Sequence, residues 1–386
     1  MNDSRELSGK YAIAGFGLSR FGKVPGTSAI AFCLEAAANA IADAGIPKQE
    51  IDGVLVVMPP QMGEQHGWAS RVAAYLGVTP AFCSTMDMGG ATACGAVQNA
   101  AALIHAGICK VVLVTFGAQT NPQGILPSMF GSQFAIPYGD VGAMPFMGHV
   151  GRRQMHEHGL RSEHYGHAAV AFRKHASRNP NAQKREPFTV ADHQASRYIV
   201  EPLRLLDCCL VTDGGGACVV TSTERARDLP RAPARIAGFG QVHSSEIIHP
   251  YDDGRGGGSE AADAAYGMAG MRAADVDVVQ LYDGFTPLVV HEIMAYGFCK
   301  PGEVGDFLAA GNLEFDRGKL PANTAGGLLS EGHLSGFGHI AEGVRQLRGT
   351  SSSQVKDVEV SMVTGYGGAP HEAPPTVAYT VLVLTH

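Results

Sequence analysis

The chain is organised around the stretch Ser84-Thr-Met-Asp-Met-Gly-Gly-Ala-Thr-Ala-Cys-Gly-Ala-Val-Gln-Asn-Ala-Ala-Ala-Leu-Ile104. It begins polar and glycine-rich and then becomes alanine-rich without a proline, which predicts a loop that enters the N-terminus of a buried helix. The run Val111-Val-Leu-Val-Thr-Phe116 follows Gly107 and predicts a buried strand. Because a loop-to-helix junction presents free N–H groups and the positive end of a helix dipole, it suits an oxyanion or a nucleophile.

Strand and helix patterns alternate on both sides of this stretch. Residues 11–17 and 51–58 predict buried strands, and residues 27–44 and 68–76 predict helices, the first closed by Gly45. The segment Ile236-Ala-Gly-Phe-Gly repeats Ile13-Ala-Gly-Phe-Gly, and strands at 276–282, 358–364 and 376–384 follow with helices at 286–296 and 340–348. The alternation predicts an α/β layered fold with parallel strands, and the repeat marks the start of a second half.

Composition excludes several classes of function. The 386 residues are 45% hydrophobic and only 17% charged, as expected of a well-buried globular enzyme, and a net charge of −7 argues against nucleic acid as a partner. The eight cysteines are scattered, without a Cys-x-x-Cys pair, and the N-terminus has no apolar signal-peptide region. No apolar run approaches the length of a membrane span. We therefore expect a cytoplasmic protein with reduced thiols.

The organising stretch resembles the nucleophile segment of thiolases, especially those of the lipid-transfer-protein (SCP-x) type. In that family a cysteine lies where the loop enters the helix, in a Cys-Ala-Thr-Gly-Ser-Thr-Ala-like run. The run Gly90-Ala-Thr-Ala-Cys-Gly-Ala96 is in register with it, and the downstream Ile104-His-Ala-Gly-Ile-Cys-Lys-Val-Val-Leu113 fixes that register. Gly90 therefore occupies the nucleophile position, and the resemblance is to a thiolase fold that carries other chemistry.

A second resemblance to SCP-x thiolases covers Pro202-Leu-Arg-Leu-Leu-Asp-Cys-Cys209 and the following Asp213-Gly-Gly-Gly-Ala217. It implies a thiolase fold of two duplicated βαβαβαββ halves in a five-layered α/β/α/β/α arrangement. The predicted halves are residues 1–232 and 233–386, and a loop domain at about 117–190 is inserted in the first half to cover the active site and bind CoA. Cys208 and Cys209 are interpreted as structural, because buried cysteines usually act as small hydrophobic residues.

The other three loops of a thiolase site are also found, in altered form. Tyr282-Asp-Gly-Phe285 stands where thiolases carry Asn-Glu-Ala-Phe or His-Asp-Cys-Phe. Gly326-Gly-Leu-Leu-Ser-Glu-Gly-His333 keeps the histidine of the Gly-His-Pro loop but loses its proline. Gly365-Tyr-Gly-Gly368 replaces Cys-x-Gly-Gly. Compared with thiolases, the sequence therefore has two additional tyrosines in these loops and lacks the nucleophilic cysteine.

This combination resembles the thiolase-like steroid side-chain aldolases, in which tyrosines on the second and fourth loops form the acid/base pair. The resemblance assigns that pair to Tyr282 and Tyr366 and leaves open which is the acid. A tyrosine with its ordinary pKa of about 10 serves as a base only through a lowered pKa or a relay, for which His333 is the candidate. His333 is otherwise expected to bond the thioester oxygen or a water. Asp283 orients its loop, and the residues assigned to substrate, CoA or oxyanion binding are Gly90, Asp283, Gly367 and Gly368.

The implied reaction is retro-aldol cleavage of a steroid β-hydroxyacyl-CoA into a ketosteroid and propionyl-CoA. It requires no metal and no cofactor beyond the CoA thioester substrate. The resemblance also implies a homodimer and a small OB-fold/zinc-ribbon partner. The sequence does not identify the acyl-CoA, and the basic residues considered as CoA phosphate contacts are Arg152, Arg153, Arg173 and Lys174.

Two alternatives remain open from the sequence. One is an SCP-x-type acyl-CoA thiolase that uses Cys94, which lies about one helical turn inside the predicted helix. The other is an inactive thiolase fold that binds lipid or CoA, or acts as a scaffold. The histidine-rich runs His156-Glu-His158 and His164-Tyr-Gly-His167 are interpreted as a solvated helical face rather than a metal site.

Overall fold

The computed structural model describes residues 4–59, 66–119, 136–140, 142–244, 257–369 and 376–386. The strands are β1 (Tyr11–Leu18), β2 (Gly53–Val57), β3 (Phe82–Met86), β4 (Val111–Ala118), β5 (Tyr198–Val200), β6 (Leu203–Arg204), β7 (Gly214–Ser222), β8 (Ala234–Ser244), β9 (Val278–Gln280), β10 (Val360–Ala369) and β11 (Thr376–Thr385). The helices are α1 (Ala29–Ala44), α2 (Trp68–Leu76), α3 (Thr92–His105), α4 (Ala143–His158), α5 (Ser162–Arg178), α6 (Val190–Ala195), α7 (Thr223–Ala226), α8 (Ser259–Ala269), α9 (Thr286–Ala295), α10 (Val304–Ala309), α11 (Gly327–Ser330) and α12 (Phe337–Leu347). No helix within these ranges is long and apolar enough to span a membrane.

Nine strands follow one another in the order β3-β2-β4-β7-β1-β8-β11-β10-β9. Outward from the centre, β1-β7-β4-β2-β3 and β8-β11-β10-β9 are two copies of one topology. A single parallel bridge between Val279 and Ala322 stands in the second copy where β3 stands in the first. The predicted duplication is confirmed. The predicted division at 232/233 falls between β7 and β8 and stays a prediction.

The repeated Ala-Gly-Phe-Gly segment has a steric reason. A Cβ atom on Gly15 would lie 2.4 Å from the Ala44 backbone nitrogen, and one on Gly17 would lie 2.3 Å from the Ala40 nitrogen. In the second copy, Cβ atoms on Gly238 and Gly240 would meet the backbone of α8 at 2.1 and 1.9 Å. Each half thus needs two glycines on its first strand so that its first helix can pack directly on the sheet.

Helices α3 and α12 form the middle layer. Helix α3 packs on β4 and β7 on one side and on β10 and β11 on the other, and α12 packs on β1 and β7 as well as on β9 and β10. The rings of Phe116 and Phe337 stack between the first half-sheet and α12, with their centroids 6.2 Å apart. Helices α1 and α2 cover the outer face of the first half, and α8 covers that of the second. These are the predicted α/β/α/β/α layers.

Three local predictions were wrong. Residues 84–86 belong to β3 rather than to a loop, since they pair in parallel with β2 despite their polar side chains. The Gly365-Tyr-Gly-Gly368 segment is part of β10 and pairs with β11. The solvated histidine face is only partly exposed, because His164 is buried and its Nδ1 accepts a hydrogen bond from the Arg161 backbone N–H.

Candidate active site

Segments from both halves meet at the N-terminus of α3. Gly90 comes just before α3, Tyr282 follows β9, His333 lies between α11 and α12, and Tyr366 is on β10. A Cβ atom on Gly90 would lie 1.9 Å from Tyr282 Oη and 2.5 Å from the Tyr366 carbonyl oxygen. One on Gly367 would lie 2.0 Å from the carbonyl oxygen of Met88. The structure therefore brings together all four segments that the sequence analysis selected.

The phenol of Tyr282 fills the space that a side chain at position 90 would need. The same Cβ on Gly90 would also lie 2.0 Å from Tyr282 Cζ, which is closer than real Cβ contacts occur. A nucleophilic cysteine at position 90 and a tyrosine at position 282 are thus mutually exclusive in this backbone. The absence of a cysteine at position 90 and the presence of a tyrosine at position 282 therefore have the same steric cause, which the sequence alone does not reveal.

Tyr282 and His333 form the contact that bears on proton transfer. Tyr282 Oη lies 3.4 Å from His333 Nε2, and the two rings meet edge to face. Burial lowers the pKa of His333, so the imidazole is neutral near pH 7. Burial, and then the acidic groups of Cys209, Asp283 and Glu292, raise the pKa of Tyr282, so its phenol keeps its proton. A direct phenolate base is therefore disfavoured, and the histidine is placed to accept the proton.

Tyr366 is a buried phenol on β10. Its ring packs edge-on against Tyr379, its partner across β10 and β11, with centroids 5.2 Å apart. Only 8% of the residue is exposed, and burial, with a smaller effect from Glu292, raises its pKa. Tyr366 is therefore a neutral hydrogen-bond and proton donor near pH 7.

The carboxylate of Asp283 is held by contacts with other groups of the protein. Its carboxylate accepts hydrogen bonds from the backbone N–H groups of Leu328, at 2.8 Å, and Leu329, at 3.1 Å, and it lies 2.9 Å from His339 Nε2. A Cβ on Gly327 would lie 2.2 Å from the carboxylate, so the glycine permits this approach. His339 in turn stacks on the ring of Tyr282. Asp283 thus orients the site, and its carboxylate is fully buried.

The sequence analysis missed Glu292 and Thr364. The backbone N–H of Tyr282 donates to Glu292 Oε2 at 3.0 Å and to Thr364 Oγ1 at 2.9 Å. The Thr364 hydroxyl donates to the same Glu292 oxygen at 2.6 Å. One signal for Glu292 was available, because it is the only acidic residue of α9, a helix of mostly apolar residues.

The Pro-Leu-Arg-Leu-Leu-Asp-Cys-Cys motif brackets the Tyr282 segment. The Cys209 backbone N–H donates to the Gly284 carbonyl at 3.1 Å, and Cys208 forms a β-bridge with Phe285. Asp207 accepts from the Thr286 hydroxyl at 2.7 Å and lies 2.8 Å from His193 Nε2. The motif ties the inserted segment to the start of α9. Burial raises the pKa of both cysteine thiols, that of Cys209 to about 12, as expected of structural cysteines.

Cys94 lies away from the junction. Only 1% of the residue is exposed, its Sγ lies 4.0 Å from the Val363 carbonyl oxygen, and burial raises the pKa of its thiol. A nucleophilic cysteine needs access and a lowered pKa, and Cys94 has neither. Gly368 pairs with Val377 in the strand, and its oxyanion role stays a prediction.

The basic residues considered for CoA have protein partners. Arg152 pairs with Glu201 and Arg153 with Glu157, both at the surface. Arg173 is buried and donates to the Ser330 hydroxyl, and Lys174 pairs with Asp316 at 3.1 Å. Arg173 is thus structural, whereas the two exposed arginines of α4 stay candidates. Within the described ranges, no His, Cys, Asp or Glu side chains are grouped so as to hold a metal ion.

Comparisons with known proteins identify the family of the chain. Residues 240–378 match the family model described as "Thiolase C-terminal domain-like". A "Steroid side-chain-cleaving aldolase" from Thermomonospora curvata is 40% identical, with 94% of this chain and 97% of that protein covered. A "17-hydroxy-3-oxo-4-pregnene-20-carboxyl-CoA lyase" from Mycobacterium tuberculosis is 38% identical, with 94% and 98% covered.

A solved structure described as "Ltp2-ChsH2(DUF35) aldolase" superposes with a TM-score of 0.84 at 39% identity, and 98% of each chain is covered. The predicted thiolase fold and the predicted enzyme class, a carbon–carbon lyase, are confirmed by these relatives. The chain therefore belongs to the thiolase superfamily and, within it, to the family of the steroid side-chain-cleaving aldolases.

Proposed function

We propose that the protein cleaves the side chain of a steroid β-hydroxyacyl-CoA by a retro-aldol reaction, releasing a ring ketone and propionyl-CoA. The observation that carries this proposal is the Tyr282 phenol in the space of the missing nucleophile. A site built in this way has acid/base groups but no means of forming an acyl-enzyme, and a retro-aldol step needs none. The names of the relatives support a CoA-linked steroid as the substrate.

The geometry favours a division of roles between the two tyrosines. The Tyr282 phenol takes the proton of the substrate hydroxyl while it passes its own proton to neutral His333. The carbon–carbon bond then breaks, the ring carbinol becomes a ketone, and the electron pair moves into the thioester enolate. Tyr366 then donates its proton to the α-carbon. Exchange with water afterwards takes the extra proton from His333 and restores the one that Tyr366 has lost. We assign the stabilisation of the enolate oxygen to backbone N–H groups near Gly90, Gly367 and Gly368.

Product analysis by HPLC tests the reaction, and deuterium exchange separates the roles. We expect Tyr282→Phe, Tyr366→Phe and His333→Ala each to reduce cleavage about 100-fold or more. In D2O, wild type should exchange the α-protons of propionyl-CoA, Tyr366→Phe should lose that exchange, and Tyr282→Phe should retain it. The opposite pattern would reverse the two roles. Cleavage that survives all three substitutions would refute the proposed chemistry.

Cys94→Ala is the matched control for the thiolase alternative. Because the thiol is buried away from the junction, we expect this variant to cleave substrate like wild type. Thiolysis of a 3-ketoacyl-CoA by free CoA, lost in Cys94→Ala, would instead establish a thiolase. A protein that binds the acyl-CoA but shows neither reaction would be the inactive binding subunit.

We further propose a homodimer, a small OB-fold/zinc-ribbon partner and a cytoplasmic location. Strand β3 is the outer strand of its half-sheet and is half-exposed along its length, so its free edge can pair with a second copy. The name of the Ltp2-ChsH2(DUF35) aldolase supports the partner. All eight cysteines are free thiols, as in a reducing compartment. Light scattering should give the mass of two chains, and the mass of one chain would exclude the dimer.

A further inference from the structure

One carboxyl group joins the two segments that carry the catalytic tyrosines. Glu292 lies on α9, a helix buried along its whole length, and its side chain is fully buried. Its Oε2 accepts from the backbone N–H of Tyr282 and from the hydroxyl of Thr364, two residues before Tyr366 on β10. The positions of Tyr282 and Tyr366 relative to each other therefore depend on this carboxyl.

Within the part of the chain that the structure describes, no positive charge offsets the burial of Glu292. Among the described residues it forms no ion pair, and its Oε1 has no hydrogen-bond partner. The hydroxyl of Tyr296, the residue that follows α9, also lacks one in that part of the chain. The titratable groups that interact with Glu292 from α3, α9, β10 and the segment after β9 are Cys94, Tyr282, Asp283, Tyr296 and Tyr366.

A buried carboxylate without a cation is much less favourable than the neutral acid. Burial, reinforced by Asp283, raises the pKa of Glu292 to about 8, so it carries its proton near pH 7. In that state the group holds both catalytic segments without placing a negative charge beside them. Once ionised, it would oppose the negative charge that develops on the phenols and on the enolate.

We propose that Glu292 is a positioning residue that works as the neutral acid, and that its ionisation sets the alkaline limit of the reaction. The inference rests on the proposed retro-aldol function. It predicts a fall in kcat above about pH 8, although both tyrosines are still protonated there. No part of the proton transfer itself passes through Glu292.

Two substitutions separate the contributions of charge and position. Glu292→Gln keeps an oxygen that accepts hydrogen bonds but cannot ionise, so we expect kcat at pH 7 within about threefold of wild type and no alkaline fall. Glu292→Leu removes the acceptor, so we expect kcat to fall about tenfold or more with little change in KM. Glu331→Gln is the matched control, since Glu331 is a buried acid that pairs with Asn179 and Arg345, and it should keep the alkaline fall.

Infrared spectroscopy tests the protonation state without any substrate. At pH 7, wild type should show a carboxylic acid C=O band that Glu292→Gln lacks and Glu331→Gln keeps, and that disappears with the midpoint of the activity profile. This measurement stays readable if the proposed reaction is wrong, and the Glu331→Gln spectrum supplies it if Glu292→Gln fails to fold. The inference is overturned if that band is missing, if Glu292→Gln keeps the alkaline fall, or if its kcat drops about 100-fold at pH 7.

Discussion

Gly90 has no side chain, yet it determines which chemistry the site can support. Its backbone lies against Tyr282 and Tyr366, so any Cβ at this position competes with the phenol. We expect Gly90→Ala to reduce retro-aldol cleavage about 100-fold or more, because the phenol must leave its place beside His333. The HPLC assay measures this loss.

Gly90→Cys tests the same steric exclusion by placing a cysteine at the position of the thiolase nucleophile. We expect no acyl-enzyme from this variant alone, since the side chain of a cysteine at position 90 and the Tyr282 phenol would occupy the same space. Gly90→Cys combined with Tyr282→Asn, the residue of the Asn-Glu-Ala-Phe loop, removes the conflict with the phenol and leaves the one with the Tyr366 carbonyl oxygen, 2.5 Å from the Cβ position. Mass spectrometry after incubation with an acyl-CoA detects acylation. Wild-type cleavage by Gly90→Ala would show that the backbone adjusts and that the steric argument fails.

Helix α11 depends on a single carboxylate. Asp283 accepts from two backbone N–H groups at the start of α11 and contacts His339 on α12. We expect Asp283→Asn to lower the free energy of unfolding by about 1–3 kcal/mol, because an amide N–H must then face backbone donors. Cleavage should fall as well, since His333 follows α11 directly. Urea unfolding and the HPLC assay measure the two effects.

Asp277→Asn is a matched control for this prediction. Asp277 also accepts two backbone N–H bonds, from Glu359 and Val360, both at 2.9 Å, at the start of β10 and away from the site. It should lower stability without lowering kcat. Equal losses of kcat in both variants would mean that the effect on activity comes from general destabilisation.

A helix or strand could be predicted from the sequence where its apolar residues recur with a regular spacing. Helix α2 has the predicted bounds. Helix α1 ends, as predicted, before Gly45, which has a left-handed conformation, but it begins at Ala29 rather than at the predicted residue 27. Strand β3 was missed, because an outer strand with polar residues has the composition of a loop. The fourth site segment was assigned to a loop for its glycines, which in the strand give β10 room beside Met88 and Gly90.

The resemblance to thiolases predicted which residues form the site, but it did not predict their protonation states or their supporting contacts. Tyr282, His333 and Tyr366 stand at known loop positions, so their convergence was foreseen. Their protonation states were not, because burial sets them and burial depends on the packing of both halves. Glu292 showed only as the one acidic residue of α9, and Thr364 gave no signal at all. Their contacts with the Tyr282 backbone N–H depend on how α9 and β10 pack around the end of β9.

The molecule divides its site unequally between the halves. The second half contributes Tyr282, His333 and Tyr366, and the first contributes the junction at Gly90 with the helix α3 that lies between the half-sheets. The site therefore exists only when the middle layer is packed. Its buried acids make the stability of the whole fold depend on pH, in a direction that can be worked out.

Buried titratable groups should make the free energy of unfolding depend on pH, with the histidines and the carboxyl groups acting in opposite directions. Burial lowers the pKa of His175 to about 4, so acidification favours the unfolded chain, which binds the proton first. Burial raises the pKa of Glu331 to about 7, so between pH 4.5 and 7 the unfolded chain releases this proton while the folded chain retains it. Stability is therefore lost as pH rises through that window, and Glu292 extends the loss to about pH 8.

Glu331→Gln should reduce the loss of stability that accompanies rising pH. Because the variant cannot ionise, its unfolding free energy should rise relative to wild type by about 3 kcal/mol between about pH 4.5 and 7. Urea unfolding followed by circular dichroism at several pH values measures the difference. Glu35→Gln, at the surface beside Arg20, is the control and should run parallel to wild type. A Glu331→Gln curve that is also parallel to wild type would show that Glu331 is ionised in the folded protein and that its pairing with Arg345 outweighs burial.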